Sequence, residues 1–233
     1  MIKIKTIASG SSGNAYLVTD GHTDLLLECG LKFRDLQIAL EFKTSNLAGC
    51  LLTHEHKDHS HGLKDMLHNG IDVYTSKGTA EAEGIINPRL KIIEKMKDFK
   101  VGTWTIKPFD VEHDAAEPLG FFLMNELGER LLFVTDSYYV RYKFPGMTHI
   151  MIECNYSVDI LDYNILHGYV PKSIRNRIVG SHFSLDNVKT FLIENDLSKV
   201  QEIHLMHLSG SNADRDRFKR EIQELTGKIV YIA

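Results

Sequence analysis

Cysteine, proline and tryptophan are scarce in this chain: three, five and one among 233 residues. Cys29, Cys50 and Cys154 are odd in number and have no C-x-x-C spacing, which excludes a disulfide framework and fits reduced thiols in a cytoplasmic protein. Long apolar runs are also missing. Nothing approaches the roughly 18 consecutive apolar residues of a membrane span, and the opening MIKIKTIASGSSGN has no hydrophobic h-region, so neither a membrane anchor nor a secretory signal is expected. No low-complexity run, linker or internal repeat breaks the chain, which reads as one domain, 1–233. Hydrophobic residues at 43% and charged residues at 25% exclude a disordered chain, a collagen and a coiled coil. A net charge of −4 argues against wrapping nucleic acid with the whole surface, and leaves local basic segments to do so.

Histidine is what the chain has in quantity. There are twelve, and five of them (His54, His56, His59, His61, His68) fall within fifteen positions. Around this cluster, alternation and turn residues predict strands over Ile2–Ile7, Ala15–Thr19, Asp24–Glu28, Cys50–Thr53 and Ile71–Thr75, with helices over Leu36–Phe42 and His61–His68. Downstream, strands are predicted over Trp104–Val111, Phe121–Asn125, Arg130–Thr135, His149–Glu153, Ile203–Met206 and Lys228–Ile232. Helices are predicted over Leu185–Glu194, capped by Ser184, and over Asp214–Leu225. Strands then helices, twice over, suggest two packed sheets with helices outside. The polar clusters sit just after apolar strands, where binding and catalytic groups collect.

Within Thr53-His54-Glu55-His56-Lys57-Asp58-His59-Ser60-His61-Gly62, His54, His56, Asp58 and His59 put three imidazoles and a carboxylate on one tight loop. Such donors suit Zn, Mn or Fe, and the absence of cysteine argues against a thiolate structural site. The string is not a zincin motif, since His-Glu-x-x-His would need histidine where Asp58 stands. One loop cannot complete two metal shells. Candidates for the remaining ligands are His113, Asp136 and His207.

THEHKDHSHG matches the HxHxDH signature of the metallo-β-lactamase superfamily, and the later histidine, aspartate and histidine follow in that family's order. IASGSSGNAYLV, LLLECG, HDAAEPLGF, VTDSYY and LMHLS resemble the bacterial WalJ/YycJ-type hydrolases within it. The resemblance implies an α/β (α+β) fold, an αββα four-layer sandwich of two mixed β-sheets flanked by helices. It implies two divalent metal ions: His54, His56 and His113 on one, Asp58, His59 and His207 on the other, and Asp136 bridging. Two departures stand out. Glu28 replaces the usual aspartate in an outer-shell position, and Ser137-Tyr138 replace the usual Thr-Gly after Asp136.

A bridged metal pair lowers the pKa of a shared water towards neutrality, so the implied chemistry is hydrolysis. Glu153 and His182 resemble the glutamate and histidine of the superfamily's phosphodiesterases, where Glu153 would orient His182 and His182 would serve the leaving oxygen. His167–Arg177 interleaves Tyr169 with Lys172, Arg175 and Arg177, a segment able to hold a phosphate backbone and stack a base. The Gly/Ser turn Ser9–Asn14 offers free amides, and Asn14 is a candidate phosphate or metal neighbour. The expected activity is phosphodiester cleavage in nucleic acid, DNA before RNA, as a 5′→3′ exonuclease of the resembled subgroup. A small-molecule hydrolase (cyclic phosphodiester, thioester or lactone) and a non-catalytic metal-binding protein are the alternatives, and a homodimer is an allowed assembly.

Overall fold

Period-two alternation and glycine-rich turns at the N-terminal end produce a meander. β1 (Lys3–Ala8), β2 (Ala15–Thr19) and β3 (Asp24–Leu27) pair antiparallel, with Tyr16 opposite Leu27 and Val18 opposite Leu25. The computed structural model describes residues 1–233. It forms two mixed β-sheets flanked by helices, and its residues divide into two compact units, Met1–Asp110 with Ala115–Glu129, and Val111–Asp114 with Arg130–Ala233.

In the first unit the meander continues into parallel strands β4 (Leu47–Leu51), β5 (Val73–Thr75) and β6 (Leu90–Ile92), giving the order β1-β2-β3-β4-β5-β6. Helices α1 (Phe33–Ala39), α2 (Lys57–Ser60), α3 (Leu63–His68) and α4 (Lys77–Glu83) connect these strands. Leu36, Leu63 and Met66 from the helices bury against Leu26, Cys50 and Val73 from the sheet. A second antiparallel ladder, β7 (Phe99–Val101), β8 (Trp104–Asp110) and β9 (Leu119–Met124), completes this unit. The first helix starts and ends earlier than the spacing predicts, because Glu41 and Phe42 take left-handed backbone (φ 52° and 59°), which no helix continues. The helix expected from His61 begins at Leu63. Gly62 packs its backbone on that of Leu31, where a Cβ would lie 2.6 Å from the carbonyl oxygen.

In the second unit β10 (Arg130–Val134), β11 (His149–Glu153), β12 (Glu202–Met206) and β13 (Ile229–Ile232) run parallel in neighbouring registers. All five residues of β11 are buried, as a parallel strand covered on both faces requires. Between β11 and β12 lie α5 (Val158–Leu166), α6 (Arg175–Ser181) and α7 (Leu185–Glu194), and α8 (Arg215–Thr226) precedes β13. The Ser184 hydroxyl caps α7 by accepting the Asn187 N–H (3.1 Å), and the Asp214 carboxylate caps α8 through the Arg217 N–H (3.0 Å). Phe218 and Ile222, four apart, are the buried stripe of α8. Asp136 stands two residues past β10, Glu153 ends β11 and His207 follows β12. Carboxyl ends of adjacent parallel strands are the general place for ligands in open α/β sheets.

Candidate metal centre

The histidine loop of the first unit is held by the two turns that pack on it. The Asn14 N–H donates to the Asp58 carbonyl (2.7 Å), the Cys29 N–H to that of His59 (2.9 Å) and the Gly30 N–H to that of Asn14 (2.9 Å). Gly30 touches this loop so closely that a Cβ would lie 1.7 Å from the Asp58 carbonyl oxygen. Backbone cannot yield as a flexible side chain can. Gly30→Ala should therefore move the loop, lowering the thermal midpoint and weakening divalent-ion binding together, which differential scanning fluorimetry with and without Mn²⁺ reads directly. An unchanged midpoint would remove this packing role.

Within that loop the His54 ring lies 4.7 Å from His56 and 4.3 Å from His59, centroid to centroid. His54 Nδ1 is 2.8 Å from the Thr53 hydroxyl. His59 Nε2 lies 3.3 Å from Asp58 Oδ2 and 3.2 Å from the Asn14 amide nitrogen, while its Nδ1 faces Glu28 Oε2 at 3.6 Å. Glu28 is fully buried, and burial pushes its carboxyl pKa up. Asn14 is buried as well, with its carbonyl oxygen taken by the Gly10 N–H (2.9 Å) and the Tyr16 hydroxyl (3.2 Å).

In the second unit Glu153 is the hub. Fully buried, its Oε1 accepts from His182 Nδ1 (2.7 Å) and His207 Nδ1 (2.9 Å), and its Oε2 accepts the N–H groups of Ser137 (3.1 Å) and Phe183 (3.0 Å). Burial alone would raise its pKa, but the charge of His182 and the imidazole hydrogen bonds outweigh it and hold the carboxyl below its ordinary value. His182 responds in kind: burial pulls its pKa down, and the Glu153 carboxylate more than restores it. His207 Nδ1 also lies 2.8 Å from Asp136 Oδ1. His113 donates from Nδ1 to the Ser181 carbonyl (2.8 Å), which turns its Nε2 to Asp136 Oδ2 at 3.5 Å, and burial lowers its pKa.

Ligand atoms of Asp136, Glu153, His182 and His207 all lie within 4.8 Å of one another, a cluster able to hold a metal ion. The donor set fits a divalent first-row cation. It is imidazole and carboxylate without thiolate, and the Nδ1–H of His207 in this cluster is tied to a carboxylate, as that of His113 beside Asp136 is to a carbonyl, which fixes the tautomer and aims Nε2.

Glu28, Asp136 and His207 share a feature that no sequence pattern announces. All three are non-glycine residues in left-handed backbone, with φ of 65°, 42° and 52°. Bulky side chains avoid this region, and such strain concentrates at functional sites. The Asn155 amide helps hold His207 there by donating to its carbonyl (2.8 Å). The partners Ser181, Ser137 and Phe183 act through backbone atoms, and so carry no signal in residue type.

The basic segment is differently arranged from a row of free cations. Arg175 is held by Asp162 (2.8 Å) and Arg177 by Asp114 (3.0 Å), while Lys172 and Tyr169 are exposed. No helix is long and apolar enough to cross a membrane.

Known proteins resemble this chain in sequence and in fold. A family described as "Beta-lactamase superfamily domain" matches residues 23–159. The chain is 30% identical over 227 residues to an exodeoxyribonuclease WalJ of Streptococcus pneumoniae, covering 90% of this chain and 82% of that protein. It is 28% identical over 239 residues to an exodeoxyribonuclease YycJ of Bacillus anthracis, covering 96% and 89%. Among solved structures, the metallo-β-lactamase fold protein YhfI of Bacillus subtilis superposes with a TM-score of 0.78 at 16% identity, covering 100% of this chain and 96% of that one. The chain belongs to the β-lactamase superfamily and has its metallo-β-lactamase fold, an α+β arrangement of two mixed β-sheets flanked by helices.

Proposed function

We propose that this chain is a metal-dependent nuclease that degrades DNA from its 5′ ends. The observation that carries this reading is its near-full-length likeness to two proteins named exodeoxyribonuclease. Two divalent ions, Zn or Mn, which His54, His56, Asp58, His59, His113, Asp136 and His207 would hold, would supply an acidified water and Lewis-acid relief of charge on the phosphate oxygens. Asp58 orients the attacking water, and Asn14 and Glu28 hold the Asp58–His59 pair in place. Glu153 fixes His182 by its 2.7 Å bond, and His182, still 18% exposed, gives a proton to the departing oxygen. Lys172, Arg175, Arg177 and Tyr169 hold the strand.

The leaving-group role is separable by chemistry. In His182→Ala, cleavage of a DNA phosphodiester should fall by about 100-fold or more, while bis(p-nitrophenyl) phosphate, whose leaving group needs no proton, should lose far less. Equal losses on both substrates would remove the acid role. The substrate class is tested with labelled duplex DNA, single-stranded DNA and RNA in Mn²⁺, with a thioester and a lactone alongside. Stepwise release of nucleotides from the 5′ end of DNA is expected. Turnover of the thioester or lactone alone would replace this reading with a small-molecule hydrolase.

A further inference from the structure

One aromatic group of the second unit faces solvent, tied to the backbone where His167 Nδ1 lies 2.9 Å from the Tyr163 carbonyl. Tyr163 and His167 stand one turn apart on α5 with rings stacked at 4.0 Å and 30°. Gly168, left-handed at φ 75°, then reverses the chain, and the Tyr169 N–H bonds back to the Asn164 carbonyl (2.8 Å). That turn lays Tyr169 nearly parallel to His167, at 6.3 Å and 15°. The outcome is a row of three near-parallel rings on the surface, with Tyr163 55% and Tyr169 72% exposed. The base beneath it is firm, because Leu161 and Val170 are buried and Ile165 and Ile178 pack against them.

Cations stand beside the row: Lys172 is exposed, and Arg175 is pinned by Asp162. The row also leads to the site. After Tyr169 the chain runs through Lys172 into α6, about 10 Å of helix by its seven residues, and delivers His182 directly after it. Three rings are a small area beside the roughly 800 Å² per partner of a stable protein interface. Stacked on His167, the tyrosines keep their outward faces open, and each can take one base, since bases stack on aromatic side chains whatever their identity.

We infer that Tyr163 and Tyr169, braced by His167, form a stacking platform for the unpaired bases of a single DNA strand whose backbone Lys172 and Arg175 follow. This inference rests on the nuclease reading and narrows it: the strand engaged is single, and it is gripped through its bases without regard to sequence.

Binding is measured apart from cleavage, by fluorescence anisotropy of the full chain in EDTA. The probes are a fluorescein-labelled single-stranded dodecamer of DNA and an abasic dodecamer with the same number of phosphates. The platform requires the Tyr163→Ala/Tyr169→Ala variant to bind the base-bearing strand at least tenfold more weakly, while Tyr163→Phe/Tyr169→Phe binds like the parent. The parent should hold the abasic strand about as weakly as the alanine variant holds the normal one. Equal affinity of the parent for both probes, or an unchanged Kd in the alanine variant, overturns the platform. So does a shift of the alanine variant to a smaller species in size-exclusion chromatography, which would make a second copy of the chain the occupant. Cleavage of DNA in Mn²⁺ with unchanged Kd in the alanine variant leaves the nuclease reading standing without the platform. Base-dependent binding with no cleavage of any nucleic acid does the reverse.

Discussion

Asp136→Asn should abolish the hydrolytic activity, with turnover falling on the order of 1000-fold. The substitution is chosen to separate chemistry from folding. Asparagine tolerates the left-handed backbone that residue 136 adopts (φ 42°), whereas alanine would add strain there. It keeps the shape of the side chain and removes only its charge, which stands 3.5 Å from His113 Nε2 and 2.8 Å from His207 Nδ1. His207 retains Glu153 as acceptor, so the metal-free protein should melt close to the parent. The expected signature is therefore a lost response to metal: the parent's midpoint rises with added Mn²⁺ by mass action, and the variant's does not. Parent-like turnover in Asp136→Asn would show that this carboxylate holds no catalytic ion.

Glu153→Gln should fail differently, through stability first. The carboxylate accepts four hydrogen bonds, two imidazole N–H groups on one oxygen and two backbone N–H groups on the other. An amide offers one oxygen and one NH₂: turned one way its NH₂ confronts the backbone donors of Ser137 and Phe183, and turned the other it meets two imidazole nitrogens that can accept only by giving up the Nδ1–H tautomer. Each donor left unsatisfied costs about 1–3 kcal/mol, giving a loss of roughly 2–6 kcal/mol and a midpoint lower by about 5–20 °C at the usual 2–4 °C per kcal/mol for this chain length. Metal affinity should fall by about 10–100-fold, because His207 loses the carboxylate that aims its Nε2. Thermal unfolding in EDTA checks the first effect and Mn²⁺ titration the second. A midpoint within 2 °C of the parent would contradict the hub role of Glu153.

Local patterns made much of the fold readable. The strands Ala15–Thr19 and His149–Glu153 and the helix Leu185–Glu194 with its Ser184 cap lie where alternation and capping residues place them. The helix expected over Asp214–Leu225 runs Arg215–Thr226, and the strand expected over Lys228–Ile232 begins one residue later, at Ile229. Three-residue strands such as β6 and β7 hold too few alternations to register. The short helices α4, α5 and α6 were likewise not anticipated.

The candidate site stands out in the sequence as a set of side chains, because metal-binding donors are drawn from few residue types and the loop from His54 to His59 holds four such candidates. What holds those side chains does not. The partner of His113 is a carbonyl 68 positions away, and the partners of Arg175 and Arg177 are carboxylates 13 and 63 positions away. Such pairings are products of topology, and the cations' availability to a phosphate backbone depends on them. Asn14 makes the same point. Its type and turn suggest a neighbour of a phosphate or of the metals, and the structure buries it against Asp58 and His59.

The most direct measurement couples metal content to DNA hydrolysis in one preparation. The chain is stripped with a chelator, Mn²⁺ or Zn²⁺ is added back in steps, and bound metal and nucleotide release from 5′-labelled duplex DNA are followed together, for the parent and for Asp58→Ala. The expected result is activity that rises with occupancy to a plateau near two ions per chain and stays at background in Asp58→Ala. Full activity in the stripped protein, or equal activity in Asp58→Ala, would contradict the account.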